Sequence, residues 1–132
     1  MDDQPDDSLF RKLGLRLLVA SSGNSVVIVE KLWNDFLRFP RKDLGSLRKW
    51  MEIWCDGELH LPAERYKMLG KTGEYRIDEF KSYQSRAYGT VATNWGRRTF
   101  VVTALATKKS DNADPAVLKR AARLAAELRL ER

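Results

Sequence analysis

The chain has 132 residues, 43% of them hydrophobic and 32% charged, with a formal net charge of +6. Such a length and composition describe one soluble domain with enough apolar residues for a core. A single cysteine, Cys55, excludes an internal disulfide and any multi-cysteine zinc site, and a single histidine, His60, leaves little conventional acid–base chemistry near neutral pH.

The charge is unevenly placed. The first eight residues, MDDQPDDS, hold four aspartates and no base, so residues 9–132 carry about +10, from 24 bases and 14 acids. We read residues 1–8 as an acidic disordered tail and residues 9–132 as one domain. A basic domain favours an anionic partner, nucleic acid ahead of membrane. No run approaches the roughly 18 apolar residues needed to span a bilayer. The acidic start is not a secretory signal, and a cytoplasmic location is expected by elimination.

In chain order, residues 9–20 fit either a short helix or a strand, and residues 21–24 (SSGN) form a turn. The β-branched run VVIVE at 26–30 reads as a strand. Leu32, Trp33, Phe36, Leu37 and Phe39 recur at helical spacing until Pro40 ends the segment. Asp43 is the expected cap of a second helix, with Leu44, Leu47, Trp50, Met51 and Trp54 on its apolar stripe. These two helices read as a hairpin that Asp56-Gly57 closes, and their aromatics as core. Residues 58–69 read as irregular.

From Gly73 the period changes to that of strands. Residues 74–81, 86–93 and 99–107 are separated by short polar turns, the pattern of an antiparallel meander. Asp114 as N-cap and Pro115 in the first turn then open a helix with Val117, Leu118, Ala121, Ala122, Ala125 and Leu128 on its apolar stripe. The expected architecture is α+β: a small antiparallel sheet, an N-terminal helical hairpin packed on it, and a C-terminal helix.

Three segments carry a resemblance. Lys67-Met68-Leu69-Gly70 precedes Gly73; Glu79-Phe80-Lys81 and Arg86-Ala87-Tyr88 lie on successive strands; Leu105-Ala106-Thr107-Lys108-Lys109 stands shortly before Asp114-Pro115 and an Ala-rich basic helix. In order and spacing these resemble the RelE/ParE superfamily of toxins from type II toxin–antitoxin pairs, in its HigB-like, phage-derived branch. The chain departs from the branch in three places: Lys81 stands where arginine is frequent, Ala106 replaces an aromatic, and no His or Tyr follows Lys109 before the last helix.

The resemblance implies a RelE-like fold and a metal-independent, ribosome-dependent mRNA endonuclease that needs no small-molecule cofactor. Its partners would be a cognate antitoxin protein, mRNA and the ribosome, with no membrane. In that reaction a ribose 2′-OH attacks the adjacent phosphorus, and fixed cations stabilise the charge that develops on the phosphoryl oxygens. Arg86 would clamp the scissile phosphate. Lys81 and one of Lys108 and Lys109 would neutralise charge or move protons, with mutual repulsion in the cluster lowering a lysine pKa. Lys67, Lys71 and Arg76 would hold flanking phosphates, Tyr88 would stack on or orient a base, and Arg97 and Arg98 would contact ribosomal RNA.

Two other classes stay open on the residues alone: a ParE-like toxin that inhibits a DNA topoisomerase, and a non-catalytic phage or mobile-element binding protein. The bases could also form a solvated face, some of them paired with Glu74, Asp78 or Glu79.

Overall fold

The computed structural model describes residues 7–57, 61–108 and 113–131. Most of the acidic start lies outside them; Asp7 and Ser8, which the sequence assigned to the tail, belong to helix α1 (Asp7–Lys12). Residues 9–20 are therefore both things they could have been. The helix buries Phe10, the chain turns at Gly14 (φ 76°), and strand β1 follows (Leu15–Ser21).

Strand β2 (Asn24–Val29) returns through Ser22 and Gly23, both at positive φ (53° and 82°) as a tight two-residue hairpin requires. A 3-10 turn (Glu30–Leu32) leads into the short helix α2 (Trp33–Leu37) and, past Pro40, into α3 (Arg41–Cys55). Pro40 rather than Asp43 holds the N-cap position of α3. Asp43 lies inside the helix, where its carboxylate accepts a 2.6 Å hydrogen bond from the buried Ser85 hydroxyl.

Strands β3 (Tyr66–Thr72), β4 (Tyr75–Ser82), β5 (Ser85–Ala92) and β6 (Thr99–Thr107) follow, then helix α4 (Pro115–Glu127). Asp114 caps α4 as expected, accepting from the Ala116 amide at 2.9 Å. Of the residues read as irregular, 61–65 carry no helix or strand and 58–60 lie outside the described residues, but 66–69 belong to β3. It is a half-exposed edge strand, rich in lysine and interrupted by Gly70, so it carries almost no alternation of polarity.

The sheet has six strands in the order β1-β2-β6-β5-β4-β3 and is mixed. β2 runs parallel to β6, pairing Ser25–Ile28 with Thr99–Val102, and the other neighbours are antiparallel. The small antiparallel sheet expected from the meander is thus its larger part.

The helices do not share one face. On one side α3 and α2 cover Val26, Ile28, Phe80, Ala87, Phe100 and Val102. There Phe80 and Phe100 meet edge to face at 4.8 Å, and Trp54 stands edge-on to both. On the other side α4 and Phe10 cover Val27, Ile77, Tyr88, Val101 and Ala104. The cause lies in the central strand: TFVVTALAT presents apolar side chains to both faces, and each face must be kept from water.

One irregularity sets which residues share a face. Across β5 and β6, Tyr88 opposes Ala104 but Gly89 opposes Val102, so Thr103 is an extra residue in β6. Val101 packs on the α4 side, and after the bulge Ala104 and Ala106 do so too. Gly89 is required at this point, because a Cβ there would lie 2.0 Å from the Val101 carbonyl oxygen.

Candidate phosphate-binding cleft

Residues directly opposite in antiparallel strands share a face, with Cβ atoms about 4.5–5.5 Å apart. Lys81 lies opposite Arg86, and Arg86 opposite Ala106. In the next row Lys67 lies opposite Glu79, and Glu79 opposite Tyr88. Strands β3, β4 and β5 thus bring Lys67, Lys81 and Arg86 to one patch on the α4 side of the sheet. With Arg65, Glu64 and Tyr83 they line an open cleft of about 470 Å³, which carries four bases and one acid.

Lys81 and Arg86 are only 7% and 5% exposed. The Arg86 guanidinium donates from Nη1 to the main-chain carbonyls of Tyr83 and, at 3.2 Å, of Ser85. Its position is therefore fixed by the β4–β5 turn, as suits a preorganised cation.

Mutual repulsion is not the whole electrostatics of the cluster, because an acid stands inside it. Glu79 is 1% exposed, and its Oε1 has no hydrogen-bond partner among the described residues. Burial pushes its pKa up, against the pull of Lys81, Arg86 and Lys67. Tyr88 beside it is fully buried, and its hydroxyl likewise lacks a completed hydrogen bond among the described residues. Burial first and the Glu79 charge second raise the phenol pKa. Tyr88 is packing, and a buried ring cannot stack on a base, which corrects the role assigned to it from sequence.

The other basic residues disperse. Arg76 and Lys71 oppose each other on the α3 side, away from Lys81 and Arg86. The Arg76 Nε is paired at 3.4 Å with buried Asp78, whose carboxylate also accepts from the Tyr66 hydroxyl. These two cannot serve the same cleft as Lys67. Arg97 and Arg98 precede β6, roughly 30 Å along the strand from its lysine end. Arg98 lies 4.3 Å over the Trp54 ring on the α3 side. Lys108 extends the ladder by one bond, its amide donating to the Gln84 carbonyl at 2.8 Å, beside the turn that carries Tyr83. Lys109 and His60 lie outside the described residues.

The cleft also holds what the sequence reading passed over. Arg65 just precedes β3 and accepts the Lys81 amide on its carbonyl at 2.9 Å. Tyr83 was taken only as part of a polar turn, yet it is 56% exposed. No local signal identifies it, since its setting depends on Arg65, Arg86 and α3, all distant or on other elements.

A second, larger groove of about 610 Å³ runs along β6 beyond the β2 ladder, between α2 and α4. Alanine, leucine and threonine form its floor, and Lys31, Arg38, Arg120 and Arg123 outnumber Asp35 and Glu127 at its rim. No helix among the described residues is long and apolar enough to cross a membrane.

Comparison with known proteins finds no counterpart: no family model, no curated protein and no solved structure matches the chain.

Proposed function

We propose that the chain is a toxin of the RelE/ParE superfamily, of the HigB-like branch, acting as a metal-independent, ribosome-dependent mRNA endonuclease. The observation that carries this reading is Lys81 opposite Arg86 on adjacent strands, with Lys67 one row away and all three in one cleft. Support also comes from the element order, in which the segments quoted for the resemblance fall on β3, β4, β5 and the end of β6.

In the reaction the 2′ oxygen bonds to phosphorus, the bond from phosphorus to the 5′ oxygen breaks, and a proton passes from the nucleophile to the leaving oxygen. Arg86 grips the phosphoryl oxygens through its fixed guanidinium. Lys81, held beside Glu79, and Lys108 at the neighbouring strand end neutralise developing charge or move protons. Lys67 and Arg65 hold a flanking phosphate. The natural partner is a net acidic antitoxin segment, which the surplus of bases would attract.

The deciding experiment is growth inhibition by inducible Arg86→Ala, Lys81→Ala and Lys108→Ala variants, with mapping of transcript 5′ ends and Arg97→Ala alongside. Loss of a preorganised cation is expected to lower cleavage by about 10²–10³. Folded Arg86 and Lys81 variants that remain fully toxic would overturn the nuclease reading and favour a topoisomerase-type target.

A further inference from the structure

Tyr83 occupies an unusual position for a tyrosine. It sits in the two-residue turn between β4 and β5 with φ at 54°, a conformation that tight turns ordinarily give to Gly, Asn or Asp. A bulky residue there costs on the order of 1–3 kcal/mol unless its surroundings hold it. Those surroundings are visible: Arg86 donates to its carbonyl, and the Lys108 amide bonds the next carbonyl, that of Gln84, at 2.8 Å.

The turn therefore presents an aromatic ring where backbone preference alone would not put one. Among the described residues the other large exposed apolar side chains, Leu9, Leu13, Leu37 and Met68, are all aliphatic. Around the Tyr83 ring stand two cations: Lys42 Nζ is 4.0 Å from its centroid and Arg65 Cζ 5.8 Å. Below it opens the cleft lined by Arg65, Lys67, Lys81 and Arg86.

We infer that Tyr83 is the stacking platform for one base of a single-stranded RNA whose adjoining phosphates lie in this cleft, an inference that rests on the endonuclease reading above. Lys42 covers one face of the ring, and its remaining exposed surface stands next to a basic groove, the combination that unpaired nucleotides require: the groove follows the backbone and the ring takes a base of any identity. A paired base has both faces covered by its neighbours, so the site selects single strands. A membrane would need apolar anchors around the ring, whereas the neighbouring lining residues other than Ala63 are charged. Lys42 and Arg65 steady the ring and bring positive charge to the phosphates on either side of the stacked base.

The test is a titration of the full chain with a short single-stranded RNA carrying one 2-aminopurine, and with the same oligonucleotide made abasic at that position. Tyr83→Gly is the informative variant, because glycine relaxes the positive φ and preserves the turn; Tyr83→Trp keeps a platform. We expect the wild type to quench 2-aminopurine and Tyr83→Gly to lose both the quench and roughly tenfold or more in affinity. Tyr83→Trp should bind like wild type, and the abasic RNA should bind wild type and Tyr83→Gly equally. RNA that binds wild type and Tyr83→Gly with the same affinity overturns this inference alone and leaves the cleft reading intact. An abasic RNA that loses as much affinity as the intact one also overturns it, since the ring would then serve something other than a base. A wild-type chain that binds no free RNA overturns this inference, whereas the ribosome-dependent reading stands or falls on the cleavage experiment above.

Discussion

The guanidinium of Arg86 donates to the main-chain carbonyl of Tyr83, so the most deeply buried cation of the cleft also braces the turn that carries its exposed ring. Site and scaffold are coupled here: removing the charge loosens the loop. Arg86→Met should lower unfolding free energy by about 1–3 kcal/mol, because two carbonyls lose charge-assisted bonds. Arg86→Lys should recover part of that loss, having one donor group where arginine has a fork. Chemical denaturation of the two variants measures both, and a full-stability methionine variant would mean the bonds to Tyr83 and Ser85 contribute little.

Glu79 gives a pH signature. An acid whose folded pKa is raised holds its proton more tightly in the native state than in the unfolded one. Stability is then greatest below the ordinary value of 4.5 and falls as pH rises until the folded-state pKa is passed. Glu79→Gln should remove most of that fall and be the more stable protein at neutral pH. A residual slope is expected from Asp78, whose pKa is also raised by burial. Denaturation midpoints at several pH values check the sign; parallel profiles for the two proteins would contradict it.

Gly89 tests the bulge. Its absent side chain makes room for the Val101 carbonyl and for the Phe100 ring, whose Cε1 would lie 2.7 Å from a Cβ. Gly89→Ala must push β5 off β6, and we expect a loss of about 3 kcal/mol or more, beyond ordinary overpacking because the obstacle is backbone. A thermal midpoint near that of wild type would show that the strands separate more easily than this register implies.

Cys55 is fully buried at the end of α3, and burial pushes its thiol pKa up to about 12. At pH 8 the thiolate fraction alone should make it about 10³ slower toward a disulfide reagent than a free thiol. The reagent should therefore report unfolding and label the native chain only as fast as it opens.

The groove between α2 and α4 supplies a partner test. If an acidic antitoxin segment lies there, Arg120→Glu together with Arg123→Glu should weaken the natively encoded complex at least tenfold at low salt, with less effect at high salt. Association rates measured across ionic strength decide this. An unchanged rate would move the partner to another surface.

Much of the architecture was legible because its signals are local. The helical stripe of α3, the aromatic and β-branched residues of β4 to β6 and the Asp114-Pro115 start each lie within a few residues of what they specify. Lys67, Lys81 and Arg86 could likewise be singled out as basic residues on or near strands. What they share could not, because a face is set by register, and register depends on partners far along the chain. Thr103 shows this most clearly: strict alternation through β6 would turn Ala104 and Ala106 away from Val101, yet one extra residue returns them to its side.

The same reason divides Lys71 from Lys67, because an irregularity in the β3–β4 pairing turns Lys71 to the face of Arg76. It also buries Tyr88 beneath α4 while leaving Tyr83 exposed. Composition and period thus determined β2, α3, β4 to β6 and α4, and that the domain is basic, while β3 and the split of residues 9–20 into α1 and β1 were not legible. Only the register of β3 on β4 and of β4 on β5 decided which cations meet, and the packing of a helix on each face decided which side of the sheet they line. The free energy of burying both faces of the central strand is gained by the whole sheet and cannot be read from any one segment of it.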